Sequence, residues 1–308
     1  MPGSASFPTS CPSPGNVRAI RFLFLACLLL LPFCRVQAQA APGELALRLR
    51  RDVSFLSSPL LGGRQSGSRG AQEAAAYILR AFRAAGLSTS VQTYGQDGKV
   101  GHNLVGIWRG NPKRSEYIAV TAYYDGLGTL DGRMFPGADS NASGVSALLA
   151  LAARLAGSGN NYVFIALDGH NDALAGAAYC ARCPLGKISL LVNLDTMGTT
   201  LSPPYTRKDY LIVLGADAGN IASLRKANGP GGLRLYFDYY GSDSFTNLFY
   251  RKLGDQAPFL RSHVPALMFT SGITPHTNKV TDMAGTLDYP VFARRVALIG
   301  DWLESRQG

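Results

Sequence analysis

Several short apolar runs in this chain each lead into residues able to do chemistry, and that pattern constrains the fold more than any other feature. Residues 117–123 lead into Tyr124 and Asp125, residues 162–167 into Asp168, His170 and Asn171, and residues 188–194 into Asp195. Residues 264–269 come shortly before Pro275-His276-Thr277. Further strand-like runs cover 88–94, 102–108, 210–214 and 233–237, and residues 43–56, 70–86, 141–156 and 286–305 carry apolar residues at helical spacing. Strands alternating with helices predict a mixed, mostly parallel sheet covered on both faces, a three-layer α/β/α sandwich. In such sheets the loops beyond the carboxyl ends of the strands meet at one crevice. Tyr123 to Asp125, His170 with Asn171, Asp195 and His276 are therefore expected to converge on topological grounds alone. No repeat and no long linker interrupts the pattern, so residues 41–308 read as one domain.

Composition narrows the class of partner. The chain of 308 residues is 46% hydrophobic and 16% charged, a globular balance. Its formal charge is +10; residues 1–40 hold Arg18, Arg21 and Arg35 and no acid, which leaves +7 for the rest. That surplus is scattered, with no Lys/Arg block and no nucleic-acid motif, so a nucleic-acid partner is not expected.

The N-terminus reads as a signal peptide over 1–40. Arg18 and Arg21 precede a run of twelve mostly apolar residues at 22–33, and Val36-Gln37-Ala38-Gln39-Ala40 follows with small residues. A membrane span needs about 20 apolar residues, so no transmembrane anchor is expected after cleavage. Cleavage after Ala38 and after Ala40 fit equally well, and the mature chain is expected to be secreted or periplasmic. Export leaves Cys180 and Cys183, a lone C-x-x-C, expected to close a short disulfide in an oxidising compartment.

The motifs are more specific. Ala122-Tyr123-Tyr124-Asp125, the run Gly137-Ala138-Asp139-Ser140-Asn141-Ala142-Ser143-Gly144, Asp168-Gly169-His170-Asn171, Asn193-Leu194-Asp195-Thr196-Met197-Gly198 and Pro275-His276-Thr277 with Asp282 resemble the zinc aminopeptidase, glutaminyl cyclase and transferrin-receptor group, metallopeptidase family twenty-eight. Residues 56–64 resemble the group's opening motif. The resemblance implies a zinc-exopeptidase fold over roughly residues 53–303. In active members it implies two zinc ions, held by two His, a bridging Asp, a further Asp and a Glu, with a second Glu as base. Paired zincs polarise the scissile carbonyl and acidify the attacking water, and the base moves its proton to the leaving amine.

This chain departs from that set. Placed on the resemblance, the first His position holds Tyr123, the bridging Asp position holds Ser140, and the Glu-Glu pair is replaced by His170 at the base and Asn171 at the ligand. Asp195 and His276 keep their types. A neutral serine cannot bridge two dications as a carboxylate does, and Tyr123 could ligate only as a phenolate. Asp125, Asp139 and Asn141 are read as residues that shape the crevice. Asp139 stands next to the bridging position, but neighbouring side chains on an extended loop point apart.

Two readings follow. The first is an exported, catalytically degenerate homologue with no cofactor, binding a peptide-like ligand or a protein partner. The group includes ectodomains, those of the transferrin receptor and nicastrin, that resemble peptidases without acting as such. The second is an active aminopeptidase with a rebuilt single-zinc site made of His170, Asp195 and His276. A cyclase resembling glutaminyl cyclase fits less well, because Asn171 stands where its zinc-binding Glu would be.

Overall fold

The computed structural model describes residues 42–96, 98–183, 185–201 and 207–306. The expected signal peptide and both of its cleavage points lie outside the described residues. Two helices open the described chain, α1 (Pro42–Leu56) and α2 (Arg69–Ala84). In α2, Ser68 caps the first turn by accepting from Ala71 N, and Ala71, Ala74, Ile78 and Phe82 form one buried stripe.

Strands β1 (Ser88–Gln96), β2 (Lys99–Arg109) and β3 (Glu116–Tyr123) follow, then a small hairpin of β4 (Gly128–Leu130) and β5 (Arg133–Phe135). A wide turn at Ala138–Ser143 leads into the almost wholly buried helix α3 (Gly144–Leu155). Next come β6 (Asn161–Leu167), α4 (Ala175–Arg182), β7 (Lys187–Leu194), β8 (Tyr210–Leu214), α5 (Ala218–Asn228) and β9 (Arg234–Tyr236). The chain ends with α6 (Asp243–Leu248), a wide turn at Phe249–Leu253, α7 (Gln256–Arg261), β10 (Ala266–Thr270) and α8 (Tyr289–Ser305).

The eight-stranded sheet has the order β1-β2-β6-β3-β7-β10-β8-β9. Its centre, β6-β3-β7-β10, is parallel, and antiparallel pairs flank it at β1-β2, β2-β6 and β10-β8. Alternation along the central strands feeds two cores. Ile118, Val120 and Ala122 of β3 join Tyr162, Phe164 and Ala166 of β6 against the layer of α1, α2, α3, α5 and α8. Ala119 and Tyr123 join Val163, Ile165 and Leu167 on the other face, where Cys180 of α4 and Phe259 of α7 cover them. Central strands buried on both faces explain why these segments read as continuous apolar runs.

The structure adds elements that the sequence pattern did not suggest: the β4-β5 hairpin, α4, α5, and the helices around 243–261. The expected helix at 141–156 starts later, because the wide turn takes its first residues. Cys180 and Cys183 are both free thiols, so the expected bridge is not formed. The reason is local geometry: Cys180 is a helix residue aimed into the core, whereas Cys183 caps the end of α4 and is exposed.

Candidate functional site

At the carboxyl edge of the parallel strands lies a crevice of about 560 Å³. Tyr123, Ser140, His170, Asn171 and Asp195 line it, so five of the positions singled out in the sequence do converge. Hydrogen bonds one residue past the strands fix the loop exits: Tyr124 N donates to Leu167 O, and Asp195 N donates to Phe269 O. Tyr124 itself is buried, donates its hydroxyl to His102 O, and is not part of the crevice wall.

A set of buried side chains holds these loops from below. Asp125 accepts from His170 N at 3.0 Å and from Asn171 N at 3.3 Å, which fixes the turn after β6. Asp139 accepts from Gly198 N at 2.7 Å and from the Ser143 hydroxyl at 2.9 Å. Asp282 in turn accepts from the Asp139 and Ser140 amides at 2.8 and 3.0 Å. Asn141 joins four backbone groups: its Nδ2 donates to Leu194 O and, at 3.5 Å, to Tyr123 O, and its Oδ1 accepts from Gly144 N and Thr196 N. Gly137, with φ of 59°, permits the turn; a Cβ there would stand 2.6 Å from Ser140 O. Arg64 is fully buried and donates to Tyr124 O, Pro136 O, Gly137 O and Leu56 O, tying the loop after β3 to the wide turn.

Burial raises the pKa of several of these acids. It lifts Asp125 to about 6 against the pull of His170, and Asp139 to about 7, with Asp282 adding to the rise. Asp195 is also pushed up to about 6 by burial, eased by His170.

The crevice face is different, because Tyr123, Ser140 and His170 contact one another. The Tyr123 hydroxyl lies 2.9 Å from Ser140 Oγ. The Tyr123 ring stacks on His170, with centroids 3.7 Å apart and planes within 9°. His170 Nδ1 meets Asp255 Oδ2 at 2.8 Å. Burial pulls the His170 pKa down, but Asp255 outweighs it, with Asp195 and Asp125 adding, so it rises to about 9. Burial and the charge of Asp195 push Tyr123 well above its ordinary value, which keeps its phenol neutral. Asn171 turns its Nδ2 to Asp125.

These residues do not fit a two-zinc centre. A neutral phenol and a neutral hydroxyl bonded to each other occupy two ligand positions of the resemblance, an amide committed to Asp125 occupies the third, and a cationic imidazole stands at the base. The alternative set of His170, Asp195 and His276 is not assembled either. His276 is outside the crevice lining, with its Nδ1 2.9 Å from Thr281 Oγ1. Among the described residues no three His, Cys, Asp or Glu side chains are grouped so as to hold a metal ion. Asp255, the partner of His170, carries no sequence signal: it lies in a short break between helical turns, and only the tertiary fold brings it to the crevice. Lys252 and Arg261 on the crevice rim were likewise not indicated by any motif.

No helix among the described residues is long and apolar enough to cross a membrane. The fold is that of known zinc exopeptidases. BSAP, a zinc aminopeptidase from Bacillus subtilis, superposes with a TM-score of 0.68 at 15% identity, over 84% of this chain and 94% of that one. Bacteroides thetaiotaomicron glutaminyl cyclase bound to N-acetylhistamine gives 0.66 at 17% identity, over 87% and 99%. LapB from Legionella pneumophila gives 0.69 at 17% identity, over 88% and 73%. No curated protein sequence matches significantly. The sequence profile of Peptidase family M28 matches residues 103–299, so this chain, with the fold and the crevice described above, belongs to peptidase family M28.

Proposed function

We propose that this protein is an exported, non-hydrolytic member of its family whose crevice binds a peptide-like ligand or a protein partner. The observation that carries this reading is the closed set of contacts on the crevice face. Tyr123 bonds Ser140, stacks on His170, and His170 pairs with Asp255, so two of the substituted ligand positions and the base position are engaged with one another. A metallo-aminopeptidase needs those positions as anionic or imidazole donors and a carboxylate base. The crevice has a volume of about 560 Å³, its loops are held by buried hydrogen bonds, and apolar side chains such as Leu174 and Phe249 line it beside the polar ones. Such a mixture is what a peptide-like molecule requires. Export rests on the signal-peptide pattern of residues 1–40.

The test is turnover of aminoacyl anilides between pH 6 and 9. The expected result is none above background, since loss of the base alone costs about 10² to 10⁴ in rate. Chelator-sensitive turnover that disappears in His170→Ala or His276→Ala would contradict the proposal and favour the rebuilt metal site.

A further inference from the structure

We propose that the crevice selects ligands carrying a free carboxylate next to an apolar side chain, and that Lys252 and Arg261 anchor the carboxylate. The inference rests on the reading that the crevice binds without cleaving, and it names the chemistry of what is bound. Lys252 belongs to the wide turn Phe249–Leu253 and Arg261 closes α7, yet both line the one crevice. Both are exposed, and among the described residues neither is held in an ion pair or hydrogen bond. Their neighbour Arg251 behaves otherwise: its Nε donates to Asn247 Oδ1 at 3.2 Å, and its guanidinium stands over the Tyr250 ring.

The acids nearby do not answer these two cations. Asp255 is buried and turned to His170, and Asp195 is the one acid among the described residues of the lining. Like charges held above a low-dielectric wall focus their field into the cleft and raise the local concentration of anions there. The wall beside them is apolar, formed by Phe249, Leu253, Met268 and Ile273. A volume of about 560 Å³ accommodates an amino-acid derivative or a short peptide end. Positive rim and apolar wall together fit a hydrophobic residue with its carboxylate free.

Calorimetric titration at low ionic strength with N-acetyl-leucine, N-acetyl-leucinamide and leucinamide tests this. N-acetyl-leucine, the probe with a carboxylate, should bind about tenfold more tightly than either amide, and the difference should shrink as salt rises. Lys252→Gln and Arg261→Gln should each weaken N-acetyl-leucine roughly threefold and together about tenfold, as expected for exposed charges. Lys226→Gln, an exposed cation on α5, should change nothing. Equal binding of acid and amide, an unaffected double variant, or no binding of any probe would overturn the proposal. Leucinamide bound as tightly and left intact would remove the carboxylate preference while the non-hydrolytic reading stands. Leucinamide cleaved in a chelator-sensitive way would instead remove that reading.

Discussion

Below the crevice, Asp125, Asp139, Asn141 and Asp282 aim their acceptors at backbone amides of loops far away in sequence. On its face, Tyr123, Ser140 and His170 meet other side chains instead. The lower set is indispensable to loop geometry, because a buried amide without an acceptor is costly. The upper set carries no loop, so it can exchange residue types without unfolding the crevice. On the resemblance, the lower set carries family-like residues, whereas on the crevice face Tyr123, Ser140 and His170 stand at substituted positions and Asp195 keeps its type.

A pair of asparagine substitutions separates frame from face. Asn141→Ala removes partners of four buried backbone groups and should cost about 2–4 kcal/mol in urea denaturation. Asn171→Ala, on the crevice face, should cost less than about 1 kcal/mol. Similar losses for the two would erase the distinction between frame and face.

Restoring the upper set should show that the frame is intact. Tyr123→His, Ser140→Asp, His170→Glu and Asn171→Glu together put negative charge into the crevice that a metal must balance. Zinc at about 100 times its Kd would add about 2.7 kcal/mol to that variant, seen as a rise in melting temperature, and nothing to the parent. Single reversions should do little, since such sites act as a unit. A folded quadruple variant indifferent to zinc would mean that the frame has diverged as well.

Burial and pairing also make the stability of the crevice depend on pH. His170 has its pKa raised to about 9 in the folded protein against roughly 6.5 unfolded, so its pairing stabilises fully below pH 6.5 and is lost as pH rises through about 9. Asp125 and Asp195 are raised to about 6 and Asp139 to about 7, from ordinary values near 4. Their protonated forms favour the fold, so stability also falls as pH climbs from about 4 to 7. Melting temperature should therefore be highest at mildly acidic pH and decline toward pH 9. Asp255→Asn should flatten the limb above pH 6.5, and an unchanged slope there would contradict the His170–Asp255 pairing.

Much of this was legible in the sequence, and the reasons are physical. Apolar runs such as 162–167 announce central strands because both faces are buried, and strand ends announce a crevice because topology gathers them. Asp125, Asp139 and Asn141 are read as crevice-shaping from their place in the motifs, and each accepts hydrogen bonds from loop amides. Asp255 was not legible, since its meeting with His170 depends on how the segment 243–261 folds over the sheet. His276 is expected in the crevice from its place beyond a strand end, but its loop turns it toward Thr281. The cysteines misled because C-x-x-C spacing says nothing of side-chain direction at a helix end. The smallest expected effect lies there. In a chain beginning at residue 41, one thiol, exposed Cys183, should react at once without reductant. Cys180, whose thiol is pushed up to about 12 by burial, should react only on unfolding. No reactive thiol at all would restore the disulfide expectation.

The zinc content of the purified protein, taken with zinc binding by equilibrium dialysis, tests directly whether the crevice face holds a metal. The crevice described here should carry far less than one zinc per chain and hold none tightly after dialysis, in the parent and in Asp195→Ala alike. One or two tightly held ions per chain, removable only by chelator and lost in Asp195→Ala, would show that the crevice face is still a metal centre and that the account is wrong.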